Sequence, residues 1–214
     1  MEIEKLIGNL LPDLTDQTRY SKLPDKLSSL TAAEVERLLA SLYQNNVEQR
    51  GCIYRREKEC LEKILKASRW LTESKRPGLL LYGNCGTGKT MLMKSLHSVM
   101  GRGRKSDEVQ CFSVQALFDS FVDANRRFLY EEAKRAPIIL MDDLGCEPSK
   151  CNIYGIDYSP VSNFMYYRYD KQLITVISTN LDDEQIAKEY GARIWDRIMG
   201  TYDRVAYKGD SYRV

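Results

Sequence analysis

An α/β fold, with a parallel sheet covered by helices on both faces, follows from three features of this 214-residue sequence. Short apolar runs recur from Gly78 onward, and each is followed by a segment of helical periodicity. The runs are apolar throughout instead of alternating with polar residues, which is what burial on both faces of a parallel sheet demands. Between the first run and the helix after it lies a glycine-rich loop, GNCGTGKT at Gly83–Thr90, so the chain has a strand–loop–helix junction built for close backbone approach.

Along the chain, the first thirty residues hold Pro12, Pro24 and scattered Asp and Ser with little periodicity, and read as a loosely folded arm. Thr31 with Glu34 forms a capping box that starts a helix, with Val35, Leu38, Leu39 and Leu42 on one face. A second amphipathic helix covers about Arg55 to Thr72. GLLLY at 78–82 is the first strand, and the helix after Lys89 turns Leu92, Leu96, Val99 and Met100 inward. GRGRK at 101–105 reads as a turn, VQCFSV at 109–114 as a strand, and Leu117, Phe118, Phe121, Val122, Phe128 and Leu129 as one helical stripe. IILMDD at 138–143 is the third strand, followed by a loop rich in Gly, Pro and Asn. A helix with Val161, Phe164 and Met165 leads to LITVIST at 173–179, then helices near 183–190 and 192–199 and a last strand near 204–207.

The formal charge of +2 neither requires nor excludes a nucleic-acid partner. The start of the chain has no long apolar run and no segment reaches membrane-span length, so a cytoplasmic protein with no membrane association is expected. Six cysteines invite a zinc or disulfide reading, but Cys52 and Cys60 are separated by seven residues, Cys146 and Cys151 by four, and His97 is the sole histidine. Free, reduced thiols are expected.

The loop matches G-x-x-x-x-G-K-[ST] in the strand–helix context that this motif needs. Its chemistry is recognition of ATP with Mg2+: Gly83, Asn84, Cys85, Gly86, Thr87, Gly88, Lys89, Thr90 and Met91 are the expected phosphate-binding segment. Backbone N–H groups turn to the phosphates, Lys89 neutralises their oxygens and Thr90 ligates the metal. Asp142 and Asp143 end the third strand, where one carboxylate can hold the magnesium shell and its neighbour can orient water. Asn180, after the fourth apolar strand, can hydrogen-bond the attacking water or the γ-phosphate, or simply cap the next helix. Arg193 and Arg197 share a helix face; they pair with Asp196 or Glu189 in the same chain, or one reaches a neighbour's γ-phosphate. Arg126, Arg127, Lys134 and Arg135 form a basic face, either solvated or in contact with nucleic acid.

GLLLYGNCGTGKT, IILMDDLGCE, ITVISTNL, GARIWDRI and the terminal GDSYR occur in this order. Together they resemble the AAA+ ATPases of the DnaC-type helicase loaders and the similar IstB-type transposition helpers. The resemblance covers about Tyr54 to Arg213. It implies an AAA+ P-loop domain over 51–214, without a C-terminal helical lid, and an N-terminal helical arm over 1–50 that contacts a partner. Lys89 and Thr90 then match Walker A, Asp142 and Asp143 match Walker B, and Asn180 the first sensor. Arg197 matches an arginine finger acting in trans, with Arg193 as its accessory. The activity implied is ATP hydrolysis, slow without partner or DNA. The implied setting is DNA replication, with loading of a replicative helicase on single-stranded DNA by an oligomer formed on ATP or DNA. The alternative is a helper that assembles on DNA and activates a transposase. A small-molecule phosphotransferase and a non-hydrolysing nucleotide-gated module are further readings; the first lacks an evident basic lid insert, and the retained motor residues weigh against the second.

Overall fold

The structure is a computed structural model that describes residues 21–54 and 57–207. Its helices are α1 (Ala32–Glu48), α2 (Lys58–Thr72), α3 (Lys89–Met100), α4 (Val114–Val122), α5 (Arg127–Arg135), α6 (Pro160–Asp170), α7 (Asp183–Tyr190) and α8 (Ala192–Thr201). Its strands are β1 (Gly78–Gly83), β2 (Val109–Ser113), β3 (Ile138–Leu144), β4 (Cys151–Ile153), β5 (Ile156–Tyr158), β6 (Ile174–Thr179) and β7 (Tyr202–Tyr207). Five strands form one sheet in the order β2-β3-β6-β1-β7, with every neighbouring pair parallel.

Successive strand residues point to opposite faces, and both faces are covered. Leu79 and Leu81 of β1 join α1, α2 and α3 in one apolar core. Leu80 joins α4 through α8 in the other. This sandwiching explains why each central strand is an unbroken apolar run, and it confirms the expected parallel sheet with helices on both faces.

Several elements differ from the sequence reading. Residues 21–30 are not loose: Leu23 is buried and residues 25–27 form a 3₁₀ turn. Arg104, in the segment read as a plain turn, donates to the carbonyls of Ser21, Leu23 and Met100 at 2.6, 2.9 and 3.0 Å, fastening that stretch to the far end of the sheet. Residues 1–20, Arg55, Arg56 and the GDSYR segment lie outside the described residues. The capping box of Thr31 and Glu34 is present. The helix it starts, however, is packed against the sheet: Val35, Leu39, Tyr43 and Val47 belong to the same core as β1, and Asn46 donates to Ser95 of α3 at 3.0 Å. The stripe from Leu117 to Leu129 is two helices, broken at 123–126, where Arg127 folds back to donate to the Phe121 carbonyl at 3.0 Å. Val122 and Phe128 are exposed in consequence. The loop after β3 holds the antiparallel hairpin β4–β5, with Tyr154 at its turn.

Arg168 of α6 is 1% exposed and has no carboxylate partner among its hydrogen bonds. Its fork instead gathers the carbonyls of Ala136 (2.8 Å) and Ile174 (2.6 Å) and the Thr175 hydroxyl (2.8 Å), tying α6 to the entries of β3 and β6. Burial pushes its pKa down to about 9, which still leaves it charged at neutral pH. Removing one side of a buried polar network leaves the other side unsatisfied. Arg168→Met, which keeps the volume, should therefore lower the unfolding free energy by about 3 kcal/mol in urea titrations; a loss under about 1 kcal/mol would show that these carbonyls find other partners.

Candidate active site

The carboxyl ends of β1, β3 and β6 open on one side of the sheet, and because β6 lies between β1 and β3 they converge. The loop after β1 depends on two glycines. Gly83 has φ +132°, and a Cβ there would lie 2.1 Å from the Tyr207 carbonyl oxygen of β7. Gly88 has φ +95°, and its Cβ would lie 2.1 Å from the Tyr43 hydroxyl. Left-handed backbone of this kind suits glycine and few other residues.

Lys89 opens α3 and is 5% exposed. Its ammonium donates to the carbonyls of Gly83 (2.8 Å) and Asn84 (2.7 Å) and to Asn180 Oδ1 (2.8 Å), so it joins the loop to the end of β6. Thr87 closes the loop on itself with a bond to the Asn84 carbonyl at 2.7 Å. Thr90, one residue on, donates to Asp142 Oδ1 at 3.3 Å. Asp142 is also the acceptor of the Ser178 hydroxyl, and Ser178 in turn accepts the Asp143 N–H at 2.9 Å.

In a regular strand Asp142 and Asp143 would face opposite sides. Asp143 has φ +61°, and the β3–β6 register shifts between Met141 and Leu144. That irregularity lets both carboxylates face the loop: Asp142 meets Thr90, while Asp143 lines the cavity above the loop. Strained backbone at such a position is characteristic of sites where side-chain placement matters. Beyond the pair, Glu147 is 6% exposed; it accepts the Gly145 N–H at 3.0 Å and the Tyr190 hydroxyl at 2.5 Å, pinning the loop after β3 to α7. Burial holds the Glu147 carboxyl above its ordinary range, opposed by the Tyr190 bond. Burial and then the Asp143 charge push the Cys146 thiol up as well, so it is protonated at neutral pH.

The cavity has a volume of about 290 Å³ and is lined by Cys85, Gly86, Thr87, Gly88, Lys89, Thr90, Met91, Asp143 and Asn180. These are sequence-predicted residues; Gly83, Asn84 and Asp142 stand directly behind them through the bonds just given. The remaining wall was not anticipated: Tyr43 and Val47 of α1, then Arg50, Cys52, Ile53 and Tyr54, and Cys60 of α2. Tyr43 and Tyr54 pack edge to face at 6.1 Å. Tyr43 follows the apolar stripe of α1 by one position, but helical periodicity cannot distinguish a core side chain from one that faces a cavity. Arg193 and Arg197 are not brought to this cavity. Arg193 is exposed on α8, and Arg197 pairs with neither Asp196 nor Glu189 but with Asp170 of α6 at 3.5 Å. All six cysteines are free thiols. Among the described residues there is no cluster of three or more side chains of metal-binding type, and no helix is long and apolar enough to cross a membrane.

Residues 79–152 match the model of the ATPase family associated with various cellular activities (AAA). The chain has the AAA-type ATPase fold. DnaI superposes with a TM-score of 0.58 at 20% identity, covering 89% of this chain and 94% of that one. The DnaC helicase loader gives 0.60 at 19% identity, covering 78% and 98%. The replication initiator DnaA bound to AMPPCP and single-stranded DNA gives 0.53 at 15% identity, covering 79% of this chain but 51% of that longer one. No curated protein matches the chain. The AAA-type fold thus agrees with the resemblance read from the motifs, and the solved structures it is similar to include the loader branch.

The apolar wall beyond the loop is the part of this AAA-type cavity able to take a flat aromatic base. Tyr54→Ala should weaken ATP affinity about fivefold to tenfold while leaving the affinity for inorganic tripolyphosphate unchanged, both read by calorimetry. Equal loss for both ligands would place Tyr54 at the phosphates or in folding instead.

Proposed function

We propose that the chain is an ATP-hydrolysing AAA+ protein of the DnaC type that acts as a helicase loader on DNA. The observation that carries the reading is the convergence of Lys89, Thr90, Asp142, Asp143 and Asn180 at the carboxyl ends of three adjacent strands. In this reading the loop N–H groups and the α3 N-terminus receive the β-phosphate, and Lys89 exchanges one of its carbonyl acceptors for phosphate oxygens. The Thr90 hydroxyl and Asp142 carboxylate are adjacent hard oxygen donors, a set that fits magnesium, which takes one or two carboxylates and completes its shell with phosphate and water. Magnesium held there would add positive charge beside the β- and γ-phosphates. Asp143, turned into the cavity by its left-handed backbone, orients the attacking water and accepts its proton. Asn180, already bonded to Lys89, reports the γ-phosphate to β6 and through it to α7.

The likeness to DnaC and DnaI supports the loader over the transposition helper, and the single-stranded DNA in the DnaA complex supports a DNA partner. Arg126, Lys134 and Arg135 on and before α5 are the side chains for that contact; each is also near an acid, with Arg126 bonded to Asp123 at 2.8 Å and the other two near Glu131. The arm over 1–50 remains the proposed partner contact, through the outward side of α1 at Glu34, Arg37, Ser41 and Gln44. Because the inward side of α1 lines the cavity, deletion of residues 1–46 is expected to impair nucleotide binding, not partner capture alone. Trans action of Arg197 and assembly on ATP or DNA complete the proposal.

Lys89→Ala should abolish tight ATP binding, since three bonds and a buried positive charge beside the loop are lost together. Asp143→Asn should retain binding and lose at least about a hundredfold in turnover. Wild-type ATP affinity in the first variant, or wild-type turnover in the second, would overturn the site assignment.

A further inference from the structure

Arg197 is held in an unusual way. Its guanidinium lies over two aromatic rings of α6, Tyr166 at 4.6 Å and Tyr169 at 4.3 Å from the ring centroids. Asp170, one residue further on the same helix, stands 3.5 Å from Nη1, an ion pair too long for a sound hydrogen bond, and its side chain is 62% exposed. Arg197 Nη1 is buried without a hydrogen-bond acceptor among the described residues. Cation–π contact uses none of the guanidinium N–H groups, and the Arg197 side chain is still 32% exposed. The backbone behind it is fixed: Ile194 and Ile198 are buried in the core, and Trp195 stacks with Arg204 of β7 at 5.0 Å. The guanidinium is thus restrained in direction and partly desolvated, with a long contact to a carboxylate.

Building on the trans-finger reading, we propose that Tyr166 and Tyr169 are positioning residues for Arg197. They hold its guanidinium by cation–π contact, so that its nitrogens other than the buried Nη1 are presented, from a side chain that is 32% exposed, to the γ-phosphate oxygens of a second copy of this chain. Asp170, paired with the buried Nη1, is a negative charge beside the incoming phosphate. A long side chain with many rotamers would otherwise be ordered only at the moment of reaction. Pre-ordering it raises the rate without changing the affinity of the other subunit's site for ATP. The two kinds of neighbour then act in opposite directions. Loss of the rings lowers the rate, whereas loss of the Asp170 charge removes repulsion of the phosphate and raises it.

The test separates finger donor from site donor. Full-length Arg197→Ala supplies intact sites without fingers, and Asp143→Asn supplies fingers on dead sites; mixing them measures trans service alone. Placing Tyr166→Ala and Tyr169→Ala in the Asp143→Asn donor should cut the restored kcat about tenfold, with KM for ATP unchanged. Tyr166→Phe with Tyr169→Phe, which keeps the ring faces and the packing, should restore it fully. Asp170→Asn in the donor should raise restored activity above that of the parent donor. If the parent donor restores nothing, the trans reading itself fails. If it restores activity and the alanine donor matches it, or the phenylalanine donor is as poor as the alanine one, the positioning role is overturned while the trans reading stands. Should the alanine donor fail to fold by circular dichroism, the phenylalanine and Asp170→Asn donors still decide: a loss in either contradicts the proposal.

Discussion

The site depends on one buried ammonium. Lys89 is a charge with three oxygen partners, and those partners come from two places: the loop at Gly83 and Asn84, and Asn180, ninety-one residues later in the chain. A buried lysine without such acceptors would neutralise or leave the interior. The loop must therefore curl so that its carbonyls point inward, which is what frees its N–H groups to point outward. The end of β6 must also stay within reach of the end of β1. The parallel β1–β6 pairing, from Gly78 opposite Thr175 to Tyr82 opposite Thr179, secures that reach over the full strand.

From this constraint the neighbouring pieces follow. α3 begins where the ammonium is anchored, so Thr90 is delivered to Asp142 across the β1–β6–β3 order of the sheet. Ser178 links the backbone of Asp143 to the carboxylate of Asp142 and so couples the two acids to β6 as well. Glu147 and Tyr190 extend the connection to α7, and α8 follows immediately. A chain of hydrogen bonds and packed elements therefore runs from the phosphate loop to the helix that carries Arg193 and Arg197.

Much of this was legible in the sequence because local rules determine it. Unbroken apolar runs gave the sheet its class, Thr31 and Glu34 marked a helix start that is present to the residue, and GNCGTGKT placed the loop. What escaped is non-local. The packing of α1 against α3, the Arg104 clamp on residues 21–23 and the buried Arg168 all join segments distant in sequence, and none has a periodic signature. The break between α4 and α5 was missed because apolar spacing carried across 123–126, while the Arg127 bond that ends the helix is a tertiary detail. The convergence of Asp142 and Asp143 on one site depends on one positive φ, which a pair of adjacent aspartates does not announce. For Arg197, spacing offers Asp196 and Glu189 as partners because it sees only the local chain; its neighbours Tyr166, Tyr169 and Asp170 are on α6.

In the proposed function, Thr90 and Asp142 together form the metal-facing edge of a nucleotide site whose phosphate edge is Lys89. This arrangement is tested most directly by calorimetric titration of ATP into Thr90→Val and Asp142→Asn, each with magnesium and with EDTA. Both variants are expected to lose affinity for ATP with magnesium present and to match the wild type in EDTA, because the loop and Lys89 are untouched. Variants that bind ATP as the wild type does in magnesium, or that lose affinity equally in EDTA, would contradict the account.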